Sequence, residues 1–483
     1  MSRSGTGHRP CGGPRSGAAA APLGFSVGAT PIAIGRGVVG TVGMFAVVAA
    51  ILAVFAVGYV AMAGRIRLVG GLYLFVAQGL GRVLGVGTAY VAGLAYALAA
   101  TGCIGAFAIF ARSEFLDLLH ITTPWQLWAV LATLGMAVLG LLKVELNARI
   151  LGAVIACEIG ILLIVSLAVT VQGGAHGLSP SGLSPHEVFG SHPGAMLAIA
   201  GFEATVIFAA EVRDPARSIG RATFGAIAVL AVIYGWVCWA VIQAFGDKGA
   251  VTGANTDPAD FFFTEAQTFV GTWVVNTMEV LVVTSWFASL LAFHNAASRY
   301  LFALGRERVL PHALGSVHSR LASPWVASLT HSVFSLAVVA AFALSGRDPY
   351  LDLYILGSTP AVVALPVMEL LASLAIFAFF LRNRHGLPTW KAWFRPLVAT
   401  LALALATWLS PAGLQSVVLA VGAHGSPHLV PPPPRKAARL PRACASPSAS
   451  PASRWRGSGR RSGGCCCGCR RRTGWGNTGG NAA

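Results

Sequence analysis

Charge is scarce in this chain: only 11% of its 483 residues are Asp, Glu, Lys or Arg, against about 25% in a soluble domain. A chain so poor in charge cannot cover a globular surface with solvated side chains, which excludes an ordinary soluble fold. Acid is the scarcer sign, with 17 Asp and Glu against 34 Lys and Arg and none after Glu369. The imbalance belongs to the ends. Residues 1–16 hold three arginines and residues 425–483 eleven basic residues, all without an acid, which leaves a body of net charge +3. A nucleic-acid-binding face would be basic within the folded body, so nucleic acid is not expected as a partner.

Other absences narrow the field further. There is no Walker-type phosphate loop and no zinc-hydrolase motif, so neither ATP hydrolysis nor metal hydrolysis is expected. No Ser/His/Asp or Cys/His constellation emerges, and His176, His186 and His192 fall together in one loop; the chain does not read as an enzyme. Cys103, Cys157 and Cys238 stand singly in apolar stretches as small hydrophobes. Cys465, Cys466, Cys467 and Cys469 match no structural zinc spacing, and no histidine follows them, so neither metal nor cofactor is expected. No cleavable signal peptide is legible at the start.

What the chain has instead is apolar length: 55% of residues are hydrophobic and the mean hydropathy is +0.70. A membrane span needs about 20 apolar residues. Such runs are predicted at 17–35, 41–62, 83–111, 125–143, 150–172, 194–212, 222–246, 266–298, 325–345, 352–381 and 394–411, with a stunted twelfth at 412–424. The predicted organisation is a disordered, non-native N-terminus at 1–16, a transmembrane domain at 17–411 and a disordered basic tail at 425–483. Loops after the even-numbered segments carry 16 Lys/Arg and loops after the odd-numbered ones carry 4. By the positive-inside rule the even loops and the N-terminus face the cytoplasm, in a multi-pass protein of the cell membrane.

Two segments are interrupted. The first contains Pro22, which lacks an N–H, and Gly24; the sixth is broken around Gly201. They lie five segments apart, the spacing of two five-helix repeats of inverted topology, and interrupted helices at matching positions point to a transport site. Acids at membrane depth reinforce this, because each costs at least ~2.5–3.5 kcal/mol on insertion scales. Glu158 lies near the middle of segment five and Glu203 next to the second break. Glu158 is a candidate for proton coupling, or else a structural glutamate bonded to helix one or eight. Glu211 lies about 12 Å along the helix from Glu203 at 1.5 Å per residue, as a gating ion-pair partner or a solvated interfacial charge. Ser285 and Ser289, one turn apart on segment eight, suit either helix packing or a hydrogen bond to a polar substrate. Tyr90 and Tyr96 carry the same alternatives, and Glu279 and Glu369 are further acids in apolar segments.

Four stretches carry a family resemblance: Ala-Ala-Ala-Ala-Pro-Leu at 18–23; Gly70-Gly71-Leu72-Tyr73 through Gly79-Leu80-Gly81-Arg82; Gly201-Phe202-Glu203-Ala204 through Glu211-Val212-Arg213-Asp214-Pro215; and Asn295-Ala296-Ala297-Ser298-Arg299-Tyr300 through Leu310-Pro311. Over roughly residues 18–410 the chain resembles the amino acid–polyamine–organocation transporters, specifically bacterial amino-acid permeases. The resemblance implies an all-α polytopic fold of about 11–12 helices with an inverted five-plus-five core. Its implied function is secondary active transport of an amino acid or related organocation by alternating access, proton-coupled or by exchange. It implies that freed backbone groups at Ala21, Pro22, Leu23 and Gly24 bind the substrate carboxylate. Gly201 and Ala204 would flank the second break, Phe202 would lie as a lid over the substrate, and Glu203 would bear on its ammonium or on neighbouring helices. In some members a cation on helix five replaces a sodium ion; here that helix carries an acid. The chain also departs from the family in lacking an apolar half-helix before the first break and a clear twelfth helix. The competing reading is therefore a transport-dead paralogue that only binds ligand. The identity of the substrate and the oligomeric state are not legible in the sequence.

Overall fold

Runs of apolar residues about 20 long satisfy their backbone in lipid only as helices or closed barrels, and these runs lack the alternating pattern of a barrel strand. A computed structural model describes residues 21–35, 40–65, 71–119, 121–141, 147–180, 215–320, 323–383, 386 and 393–406. Among them there are helices and no strand. The termini at 1–16 and 425–483, segment 194–212 and the stretch at 412–424 lie outside the described residues.

The helices in chain order are α1 (Pro22–Gly28), α2 (Thr30–Ile34), α3 (Thr41–Ala63), α4 (Leu72–Leu80), α5 (Arg82–Leu119), α6 (Trp125–Leu141) and α7 (Asn147–Gln172). They continue as α8 (Pro215–Phe245), α9 (Asp247–Thr256), α10 (Phe261–Phe269), α11 (Thr272–Arg306), α12 (Trp325–Leu344), α13 (Ile355–Arg382) and α14 (Arg395–Ala406). Seven of the described helices are long and apolar enough to cross a membrane. The chain is an all-α, multi-pass membrane protein.

Segment eight differs from its sequence-based bounds. Where one run at 266–298 is expected, α10 ends at Phe269 and α11 starts afresh at Thr272. Gly271 separates them at φ 120°, a conformation that costs glycine little and any other residue much. Three short helices, α4, α9 and α10, lie between the spans.

The centre of the bundle is α5. Some 83% of its apolar window is buried in protein, against 33–44% for the other spans, whose outer faces carry exposed Leu, Val and Trp suited to lipid. Small residues explain its position. Gly102 and Gly105 bring the α5 backbone against the start of α13 and the turn before it, where an added Cβ would lie 3.0 Å from Tyr354 O and 2.4 Å from Pro349 O. Close backbone approach of this kind supplies the dispersion contacts that hold helices together in a solvent as apolar as their side chains. Around this axis α5 packs along α11 and α13, while α3 packs along α8.

Candidate functional site

The first helix begins where proline dictates. Pro22 occupies the first helical position, where a missing N–H leaves no bond unmade, with Ala21 as its N-cap at φ −124°. The next two amides point away from the helix without intrahelical acceptors. Leu23 N–H donates to Glu158 Oε2 on α7 at 3.2 Å, and Gly24 N–H donates to Ser285 Oγ on α11 at 2.9 Å. Ser285 in turn donates to Glu158 Oε2 at 2.8 Å. The fourth amide of the helix, that of Phe25, returns to Ala21 O at 3.0 Å. Three elements far apart in sequence thus meet in one closed hydrogen-bond ring, with the carboxylate of Glu158 at the positive end of the half-helix.

Both Glu158 and Ser285 are fully buried. Two donors converge on Oε2, while Oε1 is buried with no hydrogen-bond partner among the described residues. Tyr234 on α8 lies within electrostatic range of the carboxyl group. Phe25 packs against Tyr234 with ring centroids 4.8 Å apart.

The rest of α1 is held by aromatic contacts that the sequence reading missed. Trp286 follows Ser285 and lies flat against α1: a Cβ on Gly28 would stand 2.3 Å from the indole, and one on Gly24 would stand 3.4 Å away. The indole stacks on Phe110 and meets Tyr354 edge-on at 4.9 Å. Tyr350 donates its hydroxyl to Gly28 O at 2.9 Å, and Asn255 donates to Gly35 O. The available signal was the pairing of glycines spaced four apart on α1 with a tryptophan adjoining a polar serine.

Of the residues singled out in the sequence, Ala21, Pro22, Leu23, Gly24, Glu158 and Ser285 come together here. Ser289 is half-buried one turn beyond Ser285 and makes no hydrogen bond to this ring. Gly201, Phe202, Glu203, Ala204 and Glu211 lie outside the described residues. Tyr96 packs on Tyr300 at 5.7 Å, and Tyr90 donates to Val309 O at 3.2 Å. Glu369 is buried within α13. Cys103 and Cys238 are buried and Cys157 is exposed, all three as free thiols. Another buried acid, Glu265 on α10, lies outside the spanning helices, where burial pushes its carboxyl well above the usual range. Among the described residues no group of three or more His, Cys, Asp or Glu is placed to hold a metal ion.

A second buried polar cluster went unnoticed in the sequence because its members lie on different helices. His294 Nδ1 and His331 Nδ1 are 2.6 Å apart, His331 Nε2 is 3.2 Å from Ala97 O, and His294 Nε2 is 2.9 Å from Ser328 Oγ. A carbonyl only accepts, so His331 carries its proton on Nε2 and accepts at Nδ1. His294 therefore donates from Nδ1 and accepts the Ser328 hydroxyl at Nε2. Every imidazole nitrogen is satisfied, and the pair ties α11 and α12 to α5. Replacing His331 alone with leucine leaves the His294 N–H without an acceptor in the interior. We expect a double-mutant cycle with His294→Leu to be non-additive by roughly 1–2 kcal/mol, read as thermal stability in detergent. Additive losses would show the two rings to be independent.

Comparison with known proteins follows the same lines. A family model described as amino acid permease matches residues 17–427. An uncharacterized transporter of Mycobacterium tuberculosis is 27% identical over 297 residues, covering 58% of this chain and 61% of that protein. The branched-chain amino acid permease BcaP of Lactococcus lactis is 26% identical over 207 residues, 42% of this chain and 41% of its own. The chain thus spans about three fifths of the first of these relatives and less of the second. Among solved structures, a manganese transporter of Eremococcus coleocola aligns with a TM-score of 0.46 and 17% identity, covering 84% of this chain and 92% of that one.

Proposed function

We propose, for a chain that belongs to the amino acid permease family, that it carries an amino acid or related organocation across the cell membrane by alternating access, coupled to protons. The observation that carries this reading is the bridge from α1 to α7 and α11 through Glu158. A half-helix that starts inside the membrane, with a buried carboxylate at its first turn, is the kind of element on which transporters of the broken-helix class bind and release cargo. A fully buried acid in a membrane segment is costly and marks a substrate or ion pathway. The inverted five-plus-five arrangement is the accompanying reading of the fold. In it, α1 and the segment at 194–212 rock with their bundle against a scaffold of α5, α6, α11 and α12.

The ring around Glu158 supplies a route to coupling. As a carboxylate, Glu158 accepts from Leu23 and Ser285 together and holds α1 to α11. A proton on the free Oε1 removes the negative charge and turns the two charge-assisted bonds at Oε2 into weaker neutral ones, so α1 is held less firmly to the scaffold. Proton binding and movement of α1 are coupled in this way. The excess of basic residues in the even loops supports a cytoplasmic N-terminus.

The test is uptake of a labelled panel of amino acids and amines into proteoliposomes, with and without an imposed inward proton gradient. The gradient is expected to accelerate uptake by the native chain at least tenfold. Glu158→Gln, which cannot ionise, is expected to lose that acceleration. Full gradient drive in the Gln variant would remove Glu158 from the coupling step. No uptake of any panel member by the native chain would remove the transport reading itself.

A further inference from the structure

One buried acid has no part in the ring around Glu158: Glu265 on α10. We propose that Glu265 is a second proton-binding site, which takes up a proton from the outer side as α10 closes over α1 and gives it back as α10 lifts. The outer placement rests on the transport reading above, in which the loop after the seventh apolar segment faces away from the cytoplasm.

α10 is amphipathic, and the acid stands on its inward face. Phe261, Phe262, Glu265 and Ala266 are buried at helical spacing, while Thr264, Gln267 and Thr268 face outward. An apolar side chain would serve packing at position 265, whereas a carboxyl group there has to be taken out of water. Its Oε1 is buried with no hydrogen-bond partner, and no Lys, Arg or His forms an ion pair with it among the described residues. The elements packed against α10 are α1, α7, α8 and α11. Cys238 on α8 lies within electrostatic range of Glu265. α1 has no titratable side chain, α7 has none beyond Glu158, and α11 has none before Glu279. Burial is therefore what holds the Glu265 carboxyl group neutral, well above the usual carboxylate range. A carboxylate in the same place would lack a counter-charge and would be costly.

The element that carries the acid lies between two corners. Gly246 at φ 71° and Gly271 at φ 120° bound α9 and α10. Ring contacts and one hydrogen bond seat α10 on the bundle. Phe261 stacks on Phe245 at 4.7 Å, and Phe263 lies 6.4 Å from Phe110, the ring that stacks on Trp286 beside α1. Gln172 donates to Phe269 O at 2.8 Å. Lifting α10 breaks these contacts and gives Glu265 to water, where a carboxyl group ionises near pH ~4.3. The closed form binds the proton more tightly than the open one, so acid favours closure. Closure is most stable below the ordinary carboxyl range and weakens above it, by up to about tenfold per pH unit, until the raised pKa of the closed form is reached. The proton returns to the side it came from. The site thus controls access and leaves the coupling role of Glu158 unchanged.

Hydrogen–deuterium exchange of the full-length chain in nanodiscs reads the opening of α10 from its backbone amides. It is measured from about pH 5 to about pH 8 and corrected for the intrinsic rise of amide exchange with pH. Protection of residues 261–269 is expected to fall at least tenfold over that range, while α3, which carries no acid or histidine, holds steady. Glu265→Gln keeps the shape of the neutral acid and is expected to leave α10 protected throughout. Glu265→Leu covers the case of a poorly folded Gln variant and is expected to give the same flat profile. Protection in the native chain that does not change with pH would overturn the proposal. So would a pH dependence that survives in both variants. Absence of uptake in proteoliposomes bears on the transport reading alone, since the exchange profile requires no cargo.

Discussion

Replacing Glu158 with alanine is expected to bring uptake down to that of protein-free liposomes and to lower the unfolding temperature in detergent. Among the described residues the side chain is the only acceptor for Leu23 N–H and for the Ser285 hydroxyl, at 3.2 Å and 2.8 Å, in a fully buried setting. Without it two donors lose their acceptor, at roughly 1–3 kcal/mol for each one left unsatisfied. The start of α1 also loses the negative charge that stabilises it, worth roughly another 0.3–1 kcal/mol. Ser285→Ala is the graded comparison. It strips the acceptor from Gly24 N–H but leaves the bond from Leu23 to Glu158 intact, so one amide suffers instead of two donors. The expected order of activity and of stability is native, then Ser285→Ala, then Glu158→Ala. A Ser285→Ala variant as damaged as Glu158→Ala would mean that the serine, not the acid, organises the ring. Near-native transport by Glu158→Ala would show the ring to be incidental.

The second large effect concerns packing. Gly79, on the last turn of α4, faces the backbone of α13, and a Cβ there would stand 2.1 Å from Ala375 O and 2.5 Å from Ala375 Cα. The obstructing atoms belong to a helix backbone, so relief requires α4 and α13 to move apart, and α13 is also packed on the central α5. Overpacking usually costs about 1–3 kcal/mol where side chains can adjust. With backbone in the way, Gly79→Val is expected at or above the upper end of that range, with a much smaller monodisperse fraction on purification. Gly160 on α7 is the internal control. An added Cβ there meets nothing within 4 Å, and Gly160→Ala removes a flexible residue from a helix, a gain of roughly 0.5–1 kcal/mol. The two glycines should therefore move the unfolding temperature in opposite directions. A tolerated Gly79→Val would mean that α4 is not seated on α13 as described.

Much of the architecture was legible without coordinates because lipid leaves the backbone so few options. Once charge is scarce and apolar runs reach the length of a span, helices follow, and the observed α3, α7 and α12 begin and end within about three residues of the expected runs. Segment eight was not read correctly. An apolar pattern continues straight across Val270 and Gly271, and only the backbone angle at Gly271 separates α10 from α11. Hydropathy is blind to a turn made from apolar residues.

The site was half legible. Pro22, Gly24, Glu158 and Ser285 are conspicuous in the sequence because each is out of place in a plain membrane helix. Their meeting is not, since Leu23 and Glu158 are 135 residues apart and Glu158 and Ser285 are 127 apart. Nothing local records which acid faces which amide. Trp286, Tyr350 and the pair of His294 and His331 were missed for the same reason: each reads as an isolated aromatic or polar residue until its partner on another helix is known.

By itself, then, the sequence determined that this protein lives in a membrane as a bundle of helices, where several of the described spans run, and which residues are too costly there to be idle. Those properties are set by the transfer energy of each segment taken alone. The tertiary structure alone decided that the acid of α7 occupies the start of α1, leaving one oxygen open, and that α5 forms the axis of the bundle. These follow from how helices meet, and in a uniformly apolar solvent small residues and hydrogen bonds choose that meeting, not hydropathy.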